Sequence, residues 1–175
     1  PDGVVETGSG TCSLPDPVCH AVPDIPRDAV GLMTWTFGGS FLCTGALLND
    51  IDTNTFAAWF YTANHCISTQ AAANTLTVYW FYQRATCGGA VPNINTVPRN
   101  TGGATFLGGS GASDYTFMRL RDDASAGQGF AASTTSNPPG GSTVHMVHHP
   151  GGSWKRYSSG VNTFASPICN STSLS

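Results

Sequence analysis

The sequence predicts an all-β protein, and three observations carry that expectation. Charged residues make up 10% of the chain, against about 25% in an ordinary globular protein, yet hydrophobic residues reach 40%, enough to bury a core. Gly (21) and Pro (11) occur with abundant Ser, Thr and Asn, the composition of a chain with many tight turns. Between the turns lie short runs of β-branched and aromatic residues, and few segments have the length and period of a helix.

Residues 1–27 are dense in Pro, Gly and Asp and are expected to form an irregular segment held down by disulfides. Residues 29–37 read as a first strand, Gly38-Gly39 as a two-residue hairpin turn able to take positive φ, and 41–48 as the returning strand. After a polar turn at 49–54, residues 55–63 are almost wholly apolar, which predicts a strand buried on both faces. One helical turn is expected at 65–68. Residues 75–83 (Thr-Leu-Thr-Val-Tyr-Trp-Phe-Tyr-Gln) give the strongest strand signal in the chain, and their aromatic run at 79–82 is read as core. The span 88–113 is mostly loop with a short strand at 104–107, and an alternating strand follows Asp114 at 115–120. A second long connection, 122–141, ends in Pro138-Pro139-Gly140-Gly141. Strands are expected at 142–149, stopped by Pro150-Gly151-Gly152, and at 154–164. The long connection is the natural boundary, with roughly six strands ahead of it. The expected organisation is therefore 1–121 as an N-terminal segment with a first barrel, and 122–175 as a connection with the first part of a second.

A net charge of −3 with seven scattered basic residues leaves no electrostatic footprint for nucleic acid. No apolar run approaches the ~20 residues of a membrane-spanning helix. Pro1-Asp2-Gly3 carries neither an initiator Met nor a signal-peptide pattern, so the N-terminus is expected to be a processed one. The six cysteines, Cys12, Cys19, Cys43, Cys66, Cys87 and Cys169, form no Cys-x-x-Cys pair, which argues against a zinc ribbon or a thioredoxin-type site. An even count in a charge-poor, loop-rich chain predicts three disulfides and a secreted, extracellular protein. The sequence alone leaves all the pairings open.

Chemistry concentrates where the apolar run 55–63 stops at a histidine. A strand that ends on a titratable side chain sets that side chain at the rim of a core. Acyl transfer from a peptide needs a nucleophile, a base within hydrogen-bond reach, and a carboxylate that holds the base in the right tautomer. His65 is the candidate base and Asp114, just ahead of the strand 115–120, the candidate carboxylate. Their order along the chain matches a known solution in which the serine comes last. A bond between Cys43 and Cys66 would clip the backbone of His65 to the neighbouring strand and add about 3 kcal/mol. On a strand, His145 and His149 share a face while His148 points the opposite way, so the three do not converge on a metal. No metal and no cofactor is expected. Asn170-Ser171-Thr172 is a glycosylation acceptor in a eukaryotic setting.

Phe41-Leu42-Cys43-Thr44-Gly45-Ala46-Leu47-Leu48 followed by Tyr61-Thr62-Ala63-Asn64-His65-Cys66 resembles the histidine region of chymotrypsin-fold (trypsin-like) serine proteases, and Ser113-Asp114-Tyr115-Thr116-Phe117-Met118-Arg119-Leu120 resembles their aspartate region. Three further stretches resemble bacterial lysyl endopeptidases: Thr77-Val78-Tyr79-Trp80-Phe81-Tyr82-Gln83 with Cys87 beyond it, Val147-His148-His149-Pro150-Gly151, and Lys155-Arg156-Tyr157-Ser158. The resemblance implies two antiparallel β-barrels with the catalytic site between them, a peptide or protein substrate, cleavage after lysine, and bridges Cys43–Cys66 and Cys19–Cys87. It leaves Cys12 either bonded to Cys169 or, like it, bonded to a partner outside the chain.

The family's serine lies in a Gly-x-Ser-Gly segment downstream of the Cys169 region, which residues 1–175 do not contain. Gly108-Gly109-Ser110-Gly111 precedes Asp114 in a turn-rich stretch, the wrong order for the nucleophile. The expectation is a fragment that lacks its nucleophile and has an incomplete second barrel. Its partner would then be the remainder of its own protease chain, and alone it would be inactive. The alternative is a protease-like scaffold that no longer cuts and serves as a structural or binding subunit.

Overall fold

The computed structural model describes residues 14–20, 22, 24–50, 52, 55–124 and 127–163. Cys12, Cys169 and the Asn170 acceptor lie outside them. Seven strands form one antiparallel sheet: β1 (Val30–Thr36), β2 (Ser40–Leu48), β3 (Trp59–Thr62), β4 (Thr77–Tyr79), β5 (Arg99–Asn100), β6 (Ala104–Ser110) and β7 (Tyr115–Leu120). Two more, β8 (Thr143–His148) and β9 (Arg156–Val161), make a separate hairpin. Among the described residues, helices are confined to α1 (Asp24–Asp28), α2 (Gln70–Ala73) and single 3-10 turns. The protein is all-β.

The large sheet runs β5-β4-β1-β2-β3-β7-β6, so β5 and β6 are its two edges. Residues 101–103 alone join them. Four Cα steps reach about 14 Å, whereas a flat seven-stranded sheet would hold its edges about 29 Å apart. The sheet is therefore curled on itself, which leaves little open edge. Met33, Leu47, Phe60, Ile67, Leu76, Val78, Trp80, Met118 and Leu120 are buried in its interior. Phe60 meets the Trp80 ring edge-on, and Trp80 Nε1 donates to Asn100 Oδ1 at 2.5 Å, so the one polar atom of this large ring is satisfied.

Several local expectations are corrected. The first hairpin turns over residues 37–39, because Thr36 pairs with Ser40, and of Gly38 and Gly39 only Gly38 takes positive φ. The run 55–63 yields only the four-residue β3, and it is not buried on both faces. Phe60 and Thr62 point inward while Tyr61 is 43% exposed. The outward rings are spent on cross-strand partners instead, with Trp59 stacked on Phe117 and Tyr61 on Tyr115. The strongest strand signal yields only β4, because Phe81 adopts φ 55° and breaks the ladder. Helix α2 went unanticipated; the Thr69 side chain caps it by accepting from the Ala72 amide.

The β8–β9 hairpin docks on the curled sheet through the segments that flank it. Lys155 N donates to Tyr82 O (2.8 Å) and Tyr157 N to Pro15 O (2.9 Å). At the centre of this contact Asp16, 4% exposed, takes hydrogen bonds from Trp154 Nε1 (2.8 Å), Arg84 (2.9 Å) and Arg156 (3.2 Å). Burial acts to raise its carboxyl, but those hydrogen bonds and the two guanidinium charges outweigh it and hold it below the ordinary carboxylate range. Both guanidinium groups also lie against the Trp154 ring. One carboxylate thereby ties the N-terminal segment, the loop after β4 and the hairpin together.

Candidate active site

His65 sits in the turn that follows β3, and Asp114 is the last residue of the loop joining β6 to β7. Strands β3 and β7 are neighbours, and their ladder ends at the pair Thr62–Thr116. Both candidates therefore emerge from the same end of the same strand pair, although 49 residues separate them along the chain. Asp114 takes φ 47°, a left-handed conformation that aspartate tolerates better than most residues. That conformation belongs to the turn that delivers its carboxylate to His65.

The contact is double. The His65 backbone N–H donates to Asp114 Oδ1 at 2.9 Å, and ring Nδ1 lies 2.7 Å from Oδ2. The hydrogen bond from the His65 amide, then that from its ring, hold the Asp114 carboxyl below the ordinary range, and the Asn64 amide adds to this. An ionised carboxylate only accepts, so Nδ1 carries the proton, and in the neutral ring the lone pair is then on Nε2. This is the tautomer of a general base. The side chains of His65 and Asp114 are 70% and 49% exposed, so their mutual attraction is screened and contributes little to holding the geometry. Buried neighbours must do that.

A disulfide between Cys43 of β2 and Cys66 anchors the residue next to His65, and a second joins Cys19 to Cys87. The Cys43 and Cys66 sulfurs and the His65 ring lie within 4.8 Å of one another, the spacing of a metal site. Both sulfurs are spent in the disulfide and offer no thiolate, so this set does not fit a metal. His145, His148 and His149 do not converge. His145 Nδ1 meets Tyr157 OH (2.6 Å), His148 Nε2 meets Ser158 Oγ (3.0 Å), and His149 Nδ1 meets the Ser153 carbonyl (3.0 Å). Ser110, from the Gly-Gly-Ser-Gly string, accepts from the Ser113 amide and closes the β6–β7 loop.

Two buried titratable groups escaped the sequence reading. His149 is 3% exposed, and burial with the nearby Lys155 charge pushes its pKa down to about 3. Lys155 is wholly buried with its Nζ on the Arg27 carbonyl (2.7 Å), and burial lowers its pKa to about 7. A lysine in a polar run reads as surface, and only docking of the hairpin covers it.

A curled antiparallel sheet that presents a histidine–carboxylate pair at its rim, with a second sheet docked beside it, has the trypsin-like fold. Residues 7–174 match the family described as "Lysyl endopeptidase, C-terminal domain", and the chain belongs to this family of serine endopeptidase-like proteins. A lysyl endopeptidase of Pseudomonas aeruginosa is 38% identical over 164 residues, covering 87% of this chain and 34% of the relative. The chain thus spans about a third of that relative's length. Among the described residues, no helix is long and apolar enough to cross a membrane.

Proposed function

We propose that this chain supplies the general base and its orienting carboxylate to a secreted serine endopeptidase that cleaves peptide bonds after lysine. The single observation that carries the reading is the double attachment of His65 to Asp114, which makes Nε2 the free nitrogen of the neutral ring. A serine hydroxyl would attack the scissile carbonyl while its proton passes to His65 Nε2, and Asp114 would stabilise the imidazolium. His65 then returns the proton to the leaving amine, and water repeats the cycle on the acyl-enzyme. Binding, proton transfer and hydrolysis need only side chains, backbone amides and water.

Among the described residues no serine hydroxyl bonds to His65. The match to only 34% of the relative's length supports assigning the nucleophile to a part of the protein outside residues 1–175, with 1–121 carrying the base and 122–175 opening the second barrel. The family's name supports lysine as the selected residue. The disulfides Cys19–Cys87 and Cys43–Cys66 support an oxidising, extracellular setting. The test is turnover of lysyl peptide substrates by the full-length protein and its His65→Ala variant. Equal rates would remove His65 from the mechanism, and hydrolysis with no preference for lysine would remove the specificity.

A further inference from the structure

We propose that Thr116 and Asn64 are positioning residues, forming a partly buried clamp that sets His65 against Asp114; this rests on the role proposed above for that pair. Thr116 stands two residues after Asp114 in β7, and it is wholly buried. Its Oγ1 donates to the Ile67 carbonyl at 2.6 Å and accepts from Asn64 Nδ2 at 3.1 Å. Asn64 immediately precedes His65, and Ile67 lies two residues after it. One hydroxyl therefore grips the turn on both sides of the histidine.

The location explains why a clamp is needed there. The β3–β7 ladder stops at Thr62–Thr116, so no backbone pairing holds the next residues of the two chains together. The His65–Asp114 contact is too exposed to fix its own geometry. The Cys43–Cys66 bond holds the turn to β2, on one side only. The Thr116 hydroxyl holds it to β7, the strand that Asp114 leads into. A polar contact inside a buried site is stronger than the same contact in water, and breaking it strands two partners at once.

Gly109 is an independent mark of the same device. It faces Thr116 across the β6–β7 ladder. A Cβ there would lie 2.8 Å from Asn64 Nδ2, 2.9 Å from Thr116 Oγ1 and 2.7 Å from the Tyr115 carbonyl. The second glycine of the Gly-Gly-Ser-Gly string thus keeps open the space that the clamp occupies.

The test uses the full-length protein labelled with 15N at histidine, and compares Thr116→Val, Thr116→Ser and Gly109→Ala. The shape-matched valine deletes the hydroxyl. It should broaden or abolish the downfield His65 Nδ1–H resonance and let the ring sample the other tautomer, while the rest of the spectrum stays dispersed. Serine should restore the wild-type signature. Gly109→Ala should reproduce the valine result although Thr116 is intact. In kinetics, valine should lower kcat roughly 10²-fold with KM unchanged, and serine should recover most of it. A Thr116→Val protein with the wild-type His65 signature and kcat overturns the proposal. If valine prevents folding, Asn64→Ala, which leaves the Thr116–Ile67 bond in place, gives the same reading. An unchanged His65 resonance in that variant would equally overturn it. The resonance does not depend on turnover, so failure of the protease assignment and failure of the clamp register separately.

Discussion

Asp114 holds His65 at two points, with Oδ1 on the backbone amide at 2.9 Å and Oδ2 on ring Nδ1 at 2.7 Å. The first contact satisfies the backbone amide of the residue, and the second decides which nitrogen carries the proton in the neutral ring. Asp114→Asn preserves shape but turns an NH2 group toward Nδ1, which drives the ring proton to Nε2. The full-length protein with this substitution is expected to lose kcat by about 10⁴-fold with little change in KM, read from steady-state kinetics on lysyl peptides. Loss of less than tenfold would mean that the carboxylate does not orient the base.

His149 and Lys155 make stability depend on pH in one direction. Burial lowers both pKa values, from 6.5 to about 3 and from 10.5 to about 7. In each window the unfolded chain binds the proton that the folded chain refuses, so stability rises with pH. Stability contributed by neutral His149 is full above pH ~6.5 and is lost as pH falls toward 3, a change on the order of 5 kcal/mol. The Lys155 penalty is full below pH ~7 and disappears as pH rises toward 10.5. Urea unfolding at stepped pH should show both slopes. His149→Asn should flatten the acid one and Lys155→Met the alkaline one; unchanged slopes would show that other groups govern them.

The Asp16 hub predicts a large cost for removing one side chain. Asp16→Ala leaves Arg84 and Arg156, both mostly buried, without their shared carboxylate. A loss of about 3 kcal/mol is expected, against a smaller loss for Asp16→Asn. Chemical denaturation followed by tryptophan fluorescence checks it, since Trp154 donates to the same carboxylate.

Replacing Cys43 and Cys66 together by alanine removes the covalent anchor beside His65. Stability should fall by about 3 kcal/mol. The full-length variant should also lose kcat more than KM, because the turn keeps its attachment to β7 but not to β2. An unchanged kcat would confine the bond to a stabilising role.

The all-β class was legible because charge-poor composition, turn residues and β-branched runs act locally and point the same way. β7 was legible to the residue, since its alternation matches one buried and one open face. β3 and β4 were not. Aromatic runs signal both a core and a stacked outer face, and only the neighbouring strand decides which. Phe60 and Tyr61 are adjacent aromatic residues, yet one is fully buried and the other 43% exposed.

His65 and Asp114 could be named as candidates from sequence because the short stretches around them, Thr62-Ala63-Asn64-His65-Cys66 and Ser113-Asp114-Tyr115, are local motifs that resemble those of a known family. The burial of His149, Lys155 and Asp16 was invisible, because each looks like a surface residue until another segment covers it. The sequence by itself determined the class of fold and which side chains are the candidates for the chemistry, through short-range pattern and residue type. The tertiary structure alone decided that residues 49 positions apart share one hydrogen-bonded site, and which buried groups hold them there. Those relations depend on the curl of the sheet and the register of β3 against β7, set by packing summed over the whole core rather than by any stretch of it.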